Sequence, residues 1–107
     1  MDYYEAPDFD VKVHPKRVSR IERVLNDIGA HRDKANYTQV DFWRRFGITQ
    51  SAGSRMEQGK PIPIPAQILI ALEELGYVSQ EQLIEAMRLV EEADGPRRGR
   101  RRSEAAG

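Results

Sequence analysis

The sequence predicts an all-α fold of five helices, and three observations lead to it. Apolar residues recur every three or four positions along most of the chain between residues 15 and 93. Residues that favour a helix start precede these segments, and glycine or proline follows them. The chain has no cysteine, and its 107 residues suffice for one domain whose modest core needs no disulfide.

The first predicted helix begins at Pro15 and ends at Gly29, because proline suits the first helical position and glycine often follows the last one. Its apolar stripe consists of Val18, Ile21, Leu25 and Ile28. Residues 30–37 are then expected to form a polar connection, in which Arg32 and Lys34 are available for phosphate contact.

Residues 38–59 predict two short helices joined by a tight turn at Gly47. Thr38 and Thr49 are placed as N-caps, where a hydroxyl oxygen accepts hydrogen bonds from the first backbone N–H groups. Four-residue apolar spacing occurs on both helices, at Phe42 and Phe46 and then at Ile48, Ala52 and Met56. Two apolar-faced helices with so short a connection must cross steeply, which is the geometry of a DNA-binding helix-turn-helix.

Two more helices are expected after this pair. Pro65 opens the fourth helix and Gly76 ends it, and its apolar stripe consists of Ile68, Leu69, Leu72 and Leu75. Ser79 and Gln82 form a capping box that starts the fifth helix, which residues 94–96 end. The apolar residues of the fifth helix are Leu83, Ile84, Met87, Leu89 and Val90.

The expected organisation is an N-terminal arm (residues 1–14), a helix-turn-helix domain (15–94) and a basic disordered tail (95–107). Residues 9–13 alternate apolar and polar side chains, which predicts either a short strand or an extended arm. The arginine-rich tail either adds non-specific affinity for nucleic acid or only keeps the chain soluble.

The net charge of zero conceals strong segregation along the chain. Residues 11–60 hold eleven Lys and Arg against five acids, whereas residues 61–94 hold one Arg against seven acids. The predicted helix-turn-helix therefore lies in a basic block, as attraction to phosphate requires. We expect four acids of the second block to lie on solvated helix faces, namely Glu73, Glu74, Glu91 and Glu92.

The residue pattern argues against an enzyme, a cofactor site or a metal site. His14 and His31 lie far apart in sequence, and adjacent acids such as Glu73 and Glu74 point apart on a helix. No apolar run approaches the ~20 residues that span a bilayer, and the first residues lack signal-peptide character, so we expect a cytoplasmic protein.

Residues 37–72 resemble the Cro/repressor-like (XRE) family of helix-turn-helix regulators. The matching positions are Thr38, Gln39, Phe42, Phe46, Gly47, Ile48, Ser51, Ser54, Arg55, Met56, Glu57, Gly59 and Lys60, followed by prolines 61, 63 and 65 and an aliphatic helix. Trp43 departs from the small residue usual in the family, and Gly53 departs from a buried β-branched residue. The two positions face each other in that fold, so packing of Trp43 on Gly53 would conserve core volume. The alternative is that Trp43 turns outward.

The resemblance and the helix geometry together imply which residues contact DNA. Base readout is assigned to outward residues early in the second helix, namely Gln50, Ser51, Ser54 and Arg55. Phosphate contacts are assigned to Gln39, Thr49, Arg44 and Lys60, with Arg45 near the same DNA strand. Arg55 has an alternative role, in which it pairs with Glu57 or another acid within the fold.

The expected function is sequence-specific binding of double-stranded DNA by a transcriptional regulator, a repressor that binds an inverted repeat as a homodimer. The dimer is expected mainly through residues 79–93, at Leu83, Met87, Leu89 and Val90, with residues 9–13 as a second candidate. Alternatively, this apolar stripe only closes the core of the monomer. The alternative function is an antitoxin or adaptor that binds a protein partner and uses its helix-turn-helix for autoregulation.

Overall fold

Six α-helices make up the regular structure of residues 11–106, the part of the chain whose backbone this computed structural model describes; side chains are described for residues 11–95. The helices are α1 (Pro15–Asn26), α2 (Ile28–Lys34), α3 (Gln39–Arg44), α4 (Gln50–Glu57), α5 (Ile64–Glu74) and α6 (Gln80–Ala106). No strand occurs within this range, so the predicted all-α class is confirmed. None of the helices in the described part of the chain is long and apolar enough to cross a membrane.

The predicted helix starts are confirmed by their capping hydrogen bonds. Thr38 Oγ1 accepts from the backbone N–H of Asp41 at 3.1 Å, and Thr49 Oγ1 accepts from that of Ala52 at 3.2 Å. Ser79 and Gln82 bond reciprocally as a capping box, at 3.1 and 2.8 Å. Pro15 is the first residue of α1, as its fixed φ favours.

The segment expected to be a polar connection is mostly helical, and this prediction was wrong. α2 begins one residue after a break at Asp27, and Gly29 lies inside it rather than ending a helix. Burial of Ile28 in the core anchors α2, and such tertiary packing overrides the weak helix propensity of glycine. Asn36 ends the helix, because its positive φ of 64° turns the chain and directs the N–H of Tyr37 back to the carbonyl of Arg32.

The predicted helix end at residues 94–96 was also wrong. The backbone of α6 continues through Gly95 and Pro96 to Ala106. An interior proline removes a backbone hydrogen bond and clashes with the preceding turn, but the segments on either side of this pair are rich in Glu, Ala and Arg, which favour helices.

The N-terminal segment described here begins at Val11 and forms no strand. Val11 and Val13 are exposed, and they line an apolar groove together with Val18, Ile21 and Leu75. Residues 11–13 thus lack strand pairing in the single chain, and Phe9 lies outside the described residues.

The core gathers apolar residues from α1 to α6. Phe42, Trp43 and Ile70 are its fully buried large side chains, and the Phe42 ring lies edge-to-face against Trp43 at 5.1 Å and Phe46 at 5.4 Å. Its other members are Val24, Ile28, Ile62, Ala66 and Leu83. The aromatic cluster sits on α3, so this core holds the predicted helix-turn-helix in place.

Candidate DNA-binding interface

The turn between α3 and α4 has the tight geometry that the sequence predicts. Gly47 adopts a positive φ of 76°, which only glycine adopts without strain. Its N–H donates to the carbonyl of Arg44 at 2.8 Å, and the N–H of Ile48 donates to that of Trp43 at 3.0 Å. These bonds satisfy the last carbonyls of α3, and the chain can start α4 two residues later.

α3 and α4 are locked together by Trp43 and Gly53. The Trp43 side chain is fully buried, so the outward orientation is wrong. A Cβ built on Gly53 would lie 2.6 Å from the indole Nε1 and nearer still to Cδ1 and Cγ. Any side chain at this position of α4 would therefore displace the ring, and the bare backbone is what lets the helices approach.

The carboxylate of Glu57 joins three helices at the end of α4. Arg32 of α2 donates to it from Nε at 2.7 Å and from Nη2 at 3.1 Å. Gln39 of α3 donates from Nε2 at 3.1 Å, and the indole N–H of Trp43 donates at 2.8 Å. Four hydrogen bonds thus converge on one side chain, and they fix α2 and α3 relative to α4.

These bonds shift the acid–base equilibria of the pair. Burial alone would raise the pKa of Glu57, but the hydrogen bonds from Arg32, Trp43 and Gln39 outweigh it and hold that pKa below its ordinary value. The hydrogen bond from Arg32 to Glu57 likewise raises the pKa of the arginine. Glu57 is thus ionised in the folded domain, and Arg32 serves the fold rather than a phosphate contact.

Arg45 is a core residue, which contradicts its expected position near the DNA. Its side chain is only 2% exposed, and it donates to Glu73 at 2.6 and 2.9 Å and to the carbonyl of Phe42 at 2.8 Å. Its guanidinium also lies 4.1 Å from the ring centre of Tyr37 and 4.5 Å from that of Phe46. Aromatic faces and a paired carboxylate together make a buried arginine tolerable.

The acids expected to be solvated instead form ion pairs with basic residues of the first block. Besides the pair of Glu73 with Arg45, Glu74 accepts from Arg20 at 2.8 Å, and Glu91 accepts from Arg44 at 3.1 Å. The opposite charges of the two blocks therefore meet within the domain. The solvated-face interpretation was wrong for Glu73 and Glu74, whose side chains are 17% and 19% exposed, whereas Glu91 remains 40% exposed.

The candidate base-reading residues lie together on the first turns of α4. Gln50, Ser51 and Arg55 are exposed, and Ser54 is half-buried. The amide nitrogen of Gln50 lies 3.5 Å from the amide oxygen of Gln39, so the starts of α3 and α4 are adjacent. Glu57 binds Arg32 instead of Arg55, which leaves the Arg55 side chain at the surface.

The candidate phosphate-binding residues have different surroundings. Lys60 is exposed just after α4, whereas the hydroxyl of Thr49 caps α4 and the amide of Gln39 binds Glu57. Arg44 pairs with Glu91, and the two side chains are 51% and 40% exposed.

The candidate dimer residues of α6 divide between core and surface. Leu83 is buried in the core of the single chain, and Met87 is half-buried. Leu89 and Val90 are each 62% exposed. The buried part of the stripe also borders a groove of about 440 Å³ beside the turn, which Phe46, Ile48 and Leu69 line as well.

Two features of this region escaped the sequence interpretation. They are the Arg45–Glu73 ion pair and the convergence of Arg32, Gln39 and Trp43 on Glu57. Both join residues that are 14 to 28 positions apart in the chain. For Arg45, the sequence signal was its place between Phe42 and Phe46 on an apolar helix.

Comparison with known proteins agrees with the observed geometry. Residues 29–73, from α2 to α5, match the RsaL-like HTH domain. No curated protein and no solved structure matches the chain. The matched region contains α3, the turn at Gly47 and α4 in full. The chain therefore contains a helix-turn-helix DNA-binding domain.

Proposed function

We propose that the chain is a sequence-specific transcriptional regulator of the Cro/repressor-like kind, which represses by binding double-stranded DNA in the cytoplasm as a homodimer. The observation that carries the proposal is the contrast between the two faces of α4. Its inner face is fixed by Gly53 against Trp43 and by Glu57, while its first outward residues are exposed. A rigid helix with a free polar N-terminal face is what insertion into a major groove requires.

Base readout is assigned to Gln50, Ser51, Ser54 and Arg55. A glutamine amide pairs bidentately with adenine and an arginine with guanine, and each pair contributes about 1–3 kcal/mol of discrimination. Gln50 is the stronger candidate, because it stands at the first position of α4 beside Gln39.

Phosphate contacts are assigned to Gln39, Thr49, Arg44 and Lys60. Lys60 is exposed and close to the end of α4. The pair of Arg44 with Glu91 is more than a third exposed on both sides, so it contributes little to stability and Arg44 can exchange Glu91 for a phosphate. Gln39 and Thr49 lie at the starts of α3 and α4. The backbone N–H groups at these helix starts attract anions such as phosphate.

Dimerisation supports specificity, because one helix-turn-helix covers only a few base pairs. We assign the interface to α6, at Leu89 and Val90 with a contribution from Met87. Their exposed apolar surface supports this assignment. Leu83, the fourth residue of the predicted interface, packs in the core of the monomer.

The test is a selection of bound duplexes from a random library with the purified protein. We expect an enriched inverted repeat whose half-site centres are about 10–10.5 base pairs, or a multiple of this, apart. A Gln50→Ala variant, which keeps the fold, should select a repeat with one degenerate position in each half-site. Failure of the wild-type protein to enrich any sequence would contradict the proposal.

A further inference from the structure

We infer that the C-terminal part of α6, residues 97–102, is a second DNA-contacting element that binds phosphates beside the groove entered by α4. The inference rests on the proposed function and extends it to a part of the chain that the helix-turn-helix does not use. Three features carry it: the course of α6, the length of helix beyond Glu91, and a change of charge along its axis.

Side-chain contacts fix the course of α6. Near its start, the hydroxyl of Tyr37 donates to the amide oxygen of Gln80. Three turns later, Arg44 at the end of α3 donates to Glu91 at 3.1 Å. α6 therefore runs beside α3 in the same direction, from the start of α3 towards the turn.

The turn itself lies beside α6 at this point. Val90 and Glu91 border the same groove as Gly47, Ile48 and Thr49. Thr49 is the N-cap of α4, so α6 leaves the domain beside the end of α4 that is proposed to enter the DNA.

The helix then continues far enough to reach the flanking DNA backbone. A helix rises about 1.5 Å per residue, so residues 97–102 lie about 9–17 Å beyond Glu91 along the axis. A bend at Pro96 changes the direction of this segment but not its greatest distance from the turn. These distances from Glu91 are comparable to the ~12 Å width of a major groove.

The charge of α6 changes sign along its length. Residues 80–94 hold one arginine against five acids, of which Glu91 binds Arg44. Residues 97–102 hold five arginines and no acid. Within α6, the net positive charge that attracts phosphate is therefore confined to the segment 97–102. Arginine also binds phosphate bidentately.

The experiment measures the affinity for a selected operator and for an unrelated duplex of equal length as a function of salt. The test variant combines Arg97→Gln, Arg98→Gln, Arg100→Gln, Arg101→Gln and Arg102→Gln. The matched control replaces the same five residues with lysine, which keeps the charge, and a chain that ends at Gly95 provides a second charge-free form. Thermal melts establish that all forms fold.

We expect the plot of log affinity against log salt to become shallower by about 0.9 for each arginine in contact, up to about 4.5, in the glutamine and truncated forms. The loss should be equal on both duplexes, so the specificity ratio should stay unchanged. The lysine form should keep the wild-type slope. If the glutamine and truncated forms keep it too, the inference is overturned, although operator binding would still support the proposed function.

A fall in the specificity ratio would also overturn the inference, because the segment would then be reading bases or positioning α4. Failure of the wild-type protein to prefer the operator would instead contradict the proposed function. The two failures are therefore distinguishable in one set of titrations.

Discussion

The indole ring of Trp43 lies directly on the backbone of Gly53, and this contact sets how closely α3 and α4 approach. The ring is fully buried, and a Cβ at Gly53 would overlap its five-membered part. The indole N–H then reaches past Gly53 to Glu57 at 2.8 Å. One large side chain thus fills the space between the helices and also binds the acid that joins α2, α3 and α4.

Replacing Gly53 with a larger residue should therefore lower the stability of the domain, whereas replacing glycine usually stabilises a helix. Glycine to alanine normally gains about 1 kcal/mol of helix propensity, but Gly53→Ala should destabilise the domain by about 1–3 kcal/mol through overpacking. In a Trp43→Ala background, which itself costs about 3–5 kcal/mol, the same change should be stabilising. Urea melts of the four proteins give the coupling energy.

Gly53→Val, measured alone and combined with Trp43→Ala, gives a second double-mutant cycle. Alone it should destabilise the domain more than Gly53→Ala, and combined with Trp43→Ala it should recover part of the loss. Additive effects in both cycles would show that the two residues do not interact.

Glu57 should make the stability of the domain depend on pH. Its pKa is lowered in the folded state, so its contribution is complete above the ordinary carboxyl pKa of 4.5 and is lost as the pH falls through the folded-state value. Glu57→Gln should therefore be less stable than the wild type at pH 7, and the gap should narrow below pH 4.5. Denaturant melts from pH 7 to pH 3 measure this difference.

A matched control for this experiment is Glu92→Gln, which removes an exposed acid from α6. Its stability difference from the wild type should stay small over the same range. A gap for Glu57→Gln that is constant from pH 7 to pH 3 would contradict the assigned role of the carboxylate.

Local signals explain what the sequence predicted correctly. The caps at Thr38, Thr49 and Ser79 and the turn at Gly47 each depend on residues within a few positions of one another. The packing of Trp43 on Gly53 was predicted for a different reason. The resemblance placed the two positions opposite each other, and their exchanged sizes then implied contact.

The failures concern interactions between distant segments. Gly29 and residues 94–96 are ordinary stop signals, but burial of Ile28 outweighs the first and the helix-favouring residues around Pro96 outweigh the second. Arg45 was assigned to the DNA face together with Arg44, yet adjacent side chains on a helix point about 100° apart. Its aromatic surroundings and its pair with Glu73 become visible only in three dimensions.

Arg44 and Arg45 should differ sharply despite being neighbours. Arg45→Met leaves Glu73 unpaired and largely buried, so it should cost about 3–5 kcal/mol of stability. Arg44→Gln removes an exposed pair and should cost at most about 1 kcal/mol. Thermal melts compare the stabilities, and DNA titrations should show that only Arg44→Gln changes the salt dependence while the domain stays folded. Equal stability of the two variants would contradict this division.

Gln50 and Lys60 should separate base readout from phosphate contact. Gln50→Ala should lower affinity for the operator by about 1–3 kcal/mol and leave binding to unrelated DNA nearly unchanged. Lys60→Gln should weaken binding to all duplexes and make the salt slope shallower by about 0.9. Fluorescence anisotropy at several salt concentrations distinguishes the two effects. An equal loss on both duplexes for Gln50→Ala would remove this residue from base readout.

The exposed part of α6 should determine whether two copies of the domain form the proposed dimer. Leu89 is 62% exposed in the single chain, so Leu89→Glu should leave the fold intact and abolish the proposed dimer. Leu83→Glu, by contrast, places a charge in the core and should unfold the domain. Comparison of the two variants therefore distinguishes loss of the dimer from loss of the fold. Light scattering measures the dimer, and far-UV circular dichroism measures the fold.

Met87 is half-buried and lies between Leu83 and Leu89 in the sequence, so Met87→Glu should lower both the stability of the domain and the formation of the dimer. A Leu89→Glu protein that remains dimeric would show that α6 only closes the monomer core, and the interface would then be sought at the second candidate, where Val11 and Val13 are exposed.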